Sequence, residues 1–222
     1  MRSHPRLVRL LAASALAVTA LCLPVSRLRA DEPRSGVGAW TEAERSRDLV
    51  ISYRDDPTVH ARAYQAVGEV RAPPRDVFNV VTNVAEHPRF MPFIKESTIV
   101  RRVSADETIV YQVVSPPFVS DRDAYFDITV TTPASPASPT AVWKSVWTAV
   151  PDFGPERSGR VRMRVAEGSW LFEPIAGGTW TRLTYTSLAS VGGNVPEWMT
   201  HSSSVSVVQK MYTAIRARVA AR

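Results

Sequence analysis

The charged residues best placed to do chemistry in this chain are Asp121, Arg122 and Asp123, which precede an alternating apolar segment. Three adjacent charges beside an apolar strand are costly to bury unless they pair with one another or with backbone groups. The planar guanidinium of Arg122 could bind the head group of a ligand. Because both flanking residues are acidic, we favour a structural ion cluster in which the three charges pair internally.

Other residue types that support catalysis are sparse. The histidines beyond the first thirty residues, His60, His87 and His201, are far apart in sequence and lack metal-ligand spacing. The sequence has neither a glycine-rich phosphate loop nor a nucleophile-elbow pattern. Its one cysteine, Cys22, lies in the N-terminal thirty residues. We therefore predict no metal, no cofactor and no enzymatic activity.

Alternation along the strand after the ion cluster assigns its two faces. If Tyr125 faces outward, the residues in the alternate positions face the interior. This inward row is Ala124, Phe126, Ile128 and Val130. Tyr111, on a neighbouring predicted strand, could offer its hydroxyl to a ligand, whereas a buried tyrosine usually finds a structural partner instead.

Further candidates for an apolar binding site are tryptophans and methionines. Trp143 and Trp147 share one strand face and could either line a wide cavity or fill it. Met163 and Met199 suit a pocket that adapts to flexible ligands, although methionine is equally an ordinary core residue.

The elements that must position these residues follow changes in hydrophobic period. A capping-box pattern at Thr41 and Glu44 predicts a short helix over Trp40–Arg47, and helical spacing predicts another over Arg75–Val84. Alternation and turn signals predict strands elsewhere. The predicted strands are Leu49–Tyr53, Ala63–Arg71, Ser97–Val103, Thr108–Val114, Ala124–Val130, Ala141–Ala149, Gly159–Val165, Trp170–Pro174 and Thr179–Tyr185.

Two segments have a clear amphipathic pattern. Arg160–Val165 alternates arginine with apolar residues, which predicts a strand with one solvated and one buried face. The chain ends in a predicted helix with Asn194 as its N-cap and a single apolar stripe. The stripe consists of Trp198, Val205, Val208, Tyr212, Ile215 and Val219. This order of elements predicts an α+β fold in which a curved antiparallel sheet covers the final helix.

The first thirty residues have the layout of a secretory signal peptide, with early arginines, an apolar stretch and a small residue, Ala30, before Asp31. We therefore predict export to the periplasm or cell exterior, a flexible lead-in over residues 31–39 and one domain over 40–222. Five of the 27 basic residues precede Asp31 and none of the 21 acidic ones does, so the remainder has a net charge of about +1. Such a chain lacks the field that drives nucleic-acid binding.

Four motifs in this order resemble the START (steroidogenic acute regulatory protein-related lipid-transfer) domain of the helix-grip superfamily. They are Ala72–Phe78, Val119–Asp123, Gly168–Phe172 and Val191–Trp198, and the segment Val84–Val100 also resembles the related polyketide cyclase/dehydrase group. The resemblance covers about residues 40–219. It implies an internal hydrophobic cavity between the sheet and the C-terminal helix.

The resemblance also implies a function. It implies one bound lipid or other hydrophobic small molecule and a lid loop containing Asp152, Phe153 and Gly154. The near-zero net charge beyond the first thirty residues argues against strong electrostatic docking, so contact with a membrane would be transient. Some sterol-binding members have a buried arginine at the position of Ile128, so a drier pocket is expected here. The cavity candidates are Tyr111, Ala124, Phe126, Ile128, Trp143, Trp147, Met163, Trp198, Met199, Val205 and Tyr212, with Arg122 as a polar contact.

The leading hypothesis from the sequence is an exported, non-enzymatic lipid carrier. Two alternatives stay open: a polyketide cyclase- or aromatase-like enzyme of the same superfamily, and a module that sequesters or senses its ligand. The sequence does not specify the ligand or the oligomeric state.

Overall fold

The computed structural model describes residues 38–59, 61–116, 119–190 and 197–222, with side chains of the last stretch from residue 204 onward. Within these described ranges, ten strands form one sheet. They are β1 (Thr41–Arg45), β2 (Leu49–Asp56), β3 (Ala61–Val70), β4 (Ile94–Arg102), β5 (Glu107–Val114), β6 (Arg122–Thr131), β7 (Trp143–Ala149), β8 (Val161–Arg162), β9 (Val165–Ile175) and β10 (Trp180–Ser190). The helices are α1 (Pro74–Val81), α2 (His87–Phe90) and α3 (Glu197–Ala220), with 3₁₀ turns at Val84–Glu86 and Ala176–Gly178.

The sheet is antiparallel and open. Its strand order is β1-β2-β3-β10-β9-β7-β6-β5-β4, and the short β8 pairs with β6 in parallel. The side chains of Val208, Tyr212 and Ile215 on α3 are buried in the main core. This arrangement confirms the predicted α+β architecture of a curved sheet packed on a C-terminal helix.

Tyr212 fastens α3 to the middle of the sheet. Its hydroxyl lies 2.9 Å from the carbonyl oxygen of Ala66 on β3 and 2.8 Å from that of Leu183 on β10. Gly68 makes room for the ring, because a Cβ there would lie 2.6 Å from a ring carbon of Tyr212. The predicted stripe is thus the buried face of α3 where its side chains are described, whereas Asn194 and the side chain of Trp198 lie outside the described residues.

The prediction of a helix over Trp40–Arg47 is wrong. Residues Thr41–Arg45 form the edge strand β1, which pairs with β2 and has a register shift between Glu42 and Glu44. Arg45 binds the carboxylate of Glu42. Pairing with β2 therefore overrides the local capping pattern, which carries only a weak preference.

The arginine-rich segment is also less regular than predicted. Only Val161 and Arg162 form a strand, and a new strand begins at Val165. Arg162 is buried rather than solvated, because it forms an ion pair with Asp123. Arg164 is exposed and binds Glu156.

Candidate functional site

A pocket of about 770 Å³ lies between the sheet and α3. The sheet contributes alternate residues of β5 and β6, among them Thr108, Phe126 and Ile128. Met211 of α3 lines the pocket from the helix side. The wall is mainly apolar, and its volume falls within the roughly 300–1,000 Å³ of small-molecule sites.

An aromatic cluster forms one wall of this pocket. Trp147, Trp170 and Tyr185 come from the adjacent strands β7, β9 and β10. The rings of Trp147 and Tyr185 are stacked with centroids 5.7 Å apart, and those of Trp170 and Tyr185 are 4.5 Å apart. Gly168 permits this, because a Cβ there would lie 2.2 Å from the Trp147 ring and 2.3 Å from the Thr186 carbonyl oxygen.

His87 is the histidine that lines the pocket in the described part of the chain. Its Nε2 donates to the Val81 carbonyl oxygen at 2.8 Å, so its Nδ1 accepts from Gln112 at 3.3 Å. Burial lowers the pKa of His87 below its ordinary value, more than the bond to Val81 raises it. The imidazole is therefore neutral at pH 7, with both nitrogens hydrogen-bonded to the protein.

The three adjacent charges do not pair internally, contrary to the sequence-based prediction. Asp121 accepts hydrogen bonds from Lys95 at 2.8 Å and from Ser115 at 2.7 Å. Asp123 binds Arg162 on the face of β6 that points away from the pocket, whereas Arg122 lies on the pocket wall. Alternation along the strand explains why Arg122 and Asp123 are separated, since neighbouring residues face opposite sides.

Arg122 lies on the pocket wall and is only 4% exposed. Its Nη1 donates to the carbonyl oxygen of Ser120. Burial lowers the pKa of Arg122 below its ordinary value. The pocket thus combines an apolar wall with a buried guanidinium, and its wall is more polar than expected.

Tyr111 does not line the pocket, because it lies on the other face of β5. Its hydroxyl donates to Asp123 at 2.9 Å and accepts from Arg160 at 2.8 Å. Both carboxylate oxygens of Asp123 also accept hydrogen bonds from the Arg162 guanidinium, Oδ1 from Nε and Oδ2 from Nη2. Burial would raise the pKa of Asp123, but the hydrogen bonds from Arg162 and Tyr111 outweigh it and hold that pKa below its ordinary value.

The predicted lid loop also packs away from the pocket. Phe153 contacts Tyr125 on the outer face of β6, with ring centroids 5.4 Å apart. Arg162 donates to the carbonyl oxygens of Pro151, Gly154 and Pro155. Bonds from the buried Arg162 thus hold the described loop against the outer face of the sheet, away from the pocket wall.

The structure brings part of the predicted cavity set together. Phe126, Ile128, Trp147, Met163 and Arg122 line the pocket. Ala124 is buried next to them, whereas Trp143, Val205 and Tyr212 pack in the main core. The side chains of Trp198 and Met199 lie outside the described residues.

Sequence reasoning missed several wall residues. Trp170, Tyr185, His87, Gln112 and Val119 line the pocket without having been proposed as site residues. Alternation along β9 from the Gly168 motif would have placed Trp170 on the inner face. The position of His87 depends on contacts with distant strands, which no local pattern reveals.

Two further properties concern the described part of the chain. No cluster of histidine, cysteine and acidic side chains there is arranged to hold a metal ion. None of its helices is long and apolar enough to cross a membrane.

Comparison with known proteins adds a family and a fold. Residues 70–216 match the family model described as polyketide cyclase / dehydrase and lipid transport. No curated protein sequence matches the chain. Among solved structures, it is similar to a STAR-related lipid transfer protein from Xanthomonas axonopodis, with a TM-score of 0.70 and 24% identity over 81% of this chain and 98% of that one.

Two other solved structures show the same architecture. Human StAR-related lipid transfer protein 5 has a TM-score of 0.74 and 17% identity over 84% of this chain and 88% of that one. A START superfamily protein from Mycobacterium smegmatis has a TM-score of 0.51 and 17% identity over 71% and 96%. These likenesses confirm the START helix-grip fold.

Proposed function

Because this chain belongs to the polyketide cyclase/dehydrase and lipid transport family, we propose that it binds one lipid or other hydrophobic small molecule in the pocket under α3. The observation that carries this proposal is a pocket of about 770 Å³ whose wall combines the aromatic cluster with Phe126, Ile128 and Met163. Moving apolar surface from water into such a wall contributes about 25 cal/mol for each Å². Binding is then mainly a partition between water and the pocket.

The contacts of His87 and Tyr111 argue against general acid–base catalysis by these two residues. General acid–base catalysis needs a titratable group within hydrogen-bond reach of the substrate. His87 directs both ring nitrogens to protein partners, and Tyr111 lies on the far face of the sheet. A cyclase-like enzyme is the second candidate, because the family description includes cyclases.

We propose further that the protein is exported and that it exchanges ligand during brief membrane contacts. The signal-peptide pattern of the first thirty residues supports export. The tip of the β4–β5 hairpin supports contact with a lipid surface, because Val100 and Val103 are 48% and 50% exposed there. Arg102 at this tip pairs with Thr108, which lines the pocket. The tip is thus continuous with a pocket wall.

Native mass spectrometry tests the binding proposal directly. The protein would be purified from its exported fraction and measured both as isolated and after incubation with a sterol, a fatty acid and a phospholipid. We expect a stoichiometric adduct with at least one of them. The intact mass of the protein should equal that of a chain that begins at Asp31. A protein that is empty as isolated and takes up none of the three would contradict the binding proposal.

A donor-to-acceptor vesicle assay separates a carrier from a sequestering module. A carrier accelerates exchange of a fluorescent lipid between vesicles in proportion to protein concentration. A sequestering or sensing module binds the same lipid and leaves the exchange rate unchanged.

A further inference from the structure

His87 is a titratable side chain built into an apolar part of the pocket wall. It is buried, and its wall neighbours Val81 and Val84 are apolar. Its Nε2 donates to the carbonyl oxygen of Val81 at the end of α1, and its Nδ1 accepts from Gln112 on β5. The ring is therefore fixed between a helix and the sheet, with one nitrogen used as a donor and the other as an acceptor.

This pattern of hydrogen bonds fits only the neutral ring. The Gln112 Nε2 lies 3.3 Å from the His87 Nδ1 and donates to the Ser97 Oγ on β4 at 3.1 Å. A protonated imidazole carries a proton on both nitrogens, so its Nδ1 and the Gln112 amide nitrogen would face each other as two donors. Protonation of His87 thus breaks its link to β5 or forces the Gln112 amide to turn round.

The charged groups nearest to His87 in its own segment are paired with one another. Glu86, which precedes it, binds Arg89 of α2 at 2.8 Å and Arg218 of α3 at 3.2 Å. Burial, rather than a neighbouring charge, lowers the pKa of His87. A proton on this ring therefore meets a desolvated site and not a counter-charge.

The charged residues on the other elements around His87 are also engaged elsewhere. On β4, Lys95 binds Asp121, and Glu96 binds Arg160. On α3, the Nζ of Lys210 lies 5.3 Å from the centroid of the Phe93 ring. The free energy needed to charge His87 is thus determined mainly by how much water reaches the ring.

A bound ligand raises that free energy, because it displaces water from the pocket. An apolar molecule lying against Val81, Val84 and the imidazole removes water that would otherwise solvate an imidazolium. The neutral ring loses much less, since both of its nitrogens already bond to the protein. Ligand binding and protonation of His87 therefore oppose each other, and this coupling is reciprocal.

We propose that His87 makes ligand binding sensitive to pH, so that acidification lowers the affinity of the pocket for its hydrophobic ligand and promotes release. This inference rests on the proposed function and adds the regulation of the same site. Because a single proton is involved, the dissociation constant can rise by at most about tenfold for each pH unit.

The test measures the dissociation constants of ligands that do not themselves titrate, at pH 7 and at pH 5. The probes are oleyl alcohol, cholesterol and a phosphatidylcholine, and intrinsic tryptophan fluorescence reports binding because Trp147 and Trp170 line the pocket. We expect the wild-type dissociation constant of every probe that binds to rise about threefold or more on acidification. His87→Gln should remove this rise. Glu86→Gln, at the adjacent titratable position, is the matched control and should retain it.

The sign of the change distinguishes His87 from an acid in the pocket wall. Glu167 is the acid among the described pocket-lining residues. Covering a carboxylate favours its protonated form, so a dominant effect of Glu167 would strengthen binding at low pH. Covering an imidazole favours its neutral form, which weakens binding at low pH.

The outcomes separate this inference from the proposed function. Equal wild-type affinities at the two pH values, tighter binding at pH 5, or a rise that persists in His87→Gln would overturn the pH inference and leave hydrophobic binding intact. Binding of none of the probes at pH 7, nor of a fatty acid, would overturn the proposed function itself.

A second readout uses only the wild-type protein. NMR titration of the His87 ring should show its midpoint at lower pH with ligand bound than without, as the reciprocal coupling requires. Near-UV circular dichroism at each pH checks that tertiary structure is retained. If His87→Gln does not fold, this comparison still decides, because an unshifted midpoint would overturn the inference.

Discussion

At the scale of single residues, side chains on the face of the sheet opposite the pocket hold the pocket wall in position. Asp123 joins Arg162 and Tyr111 into a buried network directly behind the pocket strand β6. Arg162 in turn binds three carbonyl oxygens of the loop beyond β7. The network therefore fixes the strand whose opposite face carries Phe126 and Ile128, and its role is to position the wall rather than to contact a ligand.

Removing the cation of this pair should be strongly destabilising. Arg162→Met leaves a buried, uncompensated Asp123 and should lower the free energy of unfolding by about 3–5 kcal/mol. Urea denaturation at pH 7 measures it. The pKa of Asp123 is depressed, so the pair's stabilisation is present above the unfolded pKa of about 3.9 and is lost only as pH falls through the folded pKa.

Arg164→Met is the matched control, two positions away. Arg164 binds Glu156 with both side chains exposed, 59% and 64%. Loss of an exposed pair costs at most about 1 kcal/mol. Equal effects of the two substitutions would show that Arg162 does not have the buried role described.

His87 should make stability depend on pH. Burial lowers its pKa, so on acidification the unfolded chain takes up a proton first, below about pH 6.5. The free energy of unfolding is therefore unaffected by His87 above this pH. It falls as the pH decreases toward the folded pKa, by at most about 1.4 kcal/mol per pH unit. His87→Gln should flatten this slope in urea denaturation between pH 7 and 5. An unchanged slope would mean that His87 titrates alike in both states.

At the scale of elements, the alternation of apolar and polar residues correctly predicted which face of β6 points inward. The inward row of β6 was predicted, and Phe126, Ile128 and Val130 do line the pocket. The pocket-facing side of β5 was not predicted. Tyr111 would be buried whether it faced the pocket or the opposite side of the sheet, so its burial alone does not identify its face. A strand buried on its outer side by a covering loop has no polar row to mark that side.

Local patterns failed where distant contacts decide. The Thr41 capping box describes a helix that competes with strand pairing, and the pairing with β2 prevails. The alternating arginines predicted a solvated face, yet Asp123 buries one of them. Neither the strand that pairs with β1 nor the acid that pairs with Arg162 can be read from the residues adjacent to them in sequence.

The β4–β5 hairpin tip should control the rate of exchange with membranes. Val100→Ser with Val103→Ser removes two half-exposed apolar side chains, a loss of roughly 1 kcal/mol at a lipid interface and about fivefold slower transfer. Arg101 and Arg102 are balanced by Asp106 and Glu107 in the same hairpin, so the slowing should depend little on lipid charge.

Vesicle-to-vesicle transfer measures this effect, and affinity for free ligand should stay unchanged. Ala134→Ser with Ala137→Ser, at exposed positions of the β6–β7 connection, provides a control of similar size. If both double variants transfer at the wild-type rate, another surface makes the contact.

At the scale of the whole molecule, the pocket couples ligand binding to folding. Its walls come from α1, α3 and strands on both halves of the sheet, so the site exists only in the folded chain. A ligand at 100 times its dissociation constant should therefore raise the free energy of unfolding by about 2.7 kcal/mol. Ala166→Trp, which places a large ring at a pocket-lining position of β9, should remove this increment while unfolding stays cooperative. A ligand that binds in titrations yet leaves the urea midpoint unchanged must bind outside the pocket or bind the unfolded chain equally well.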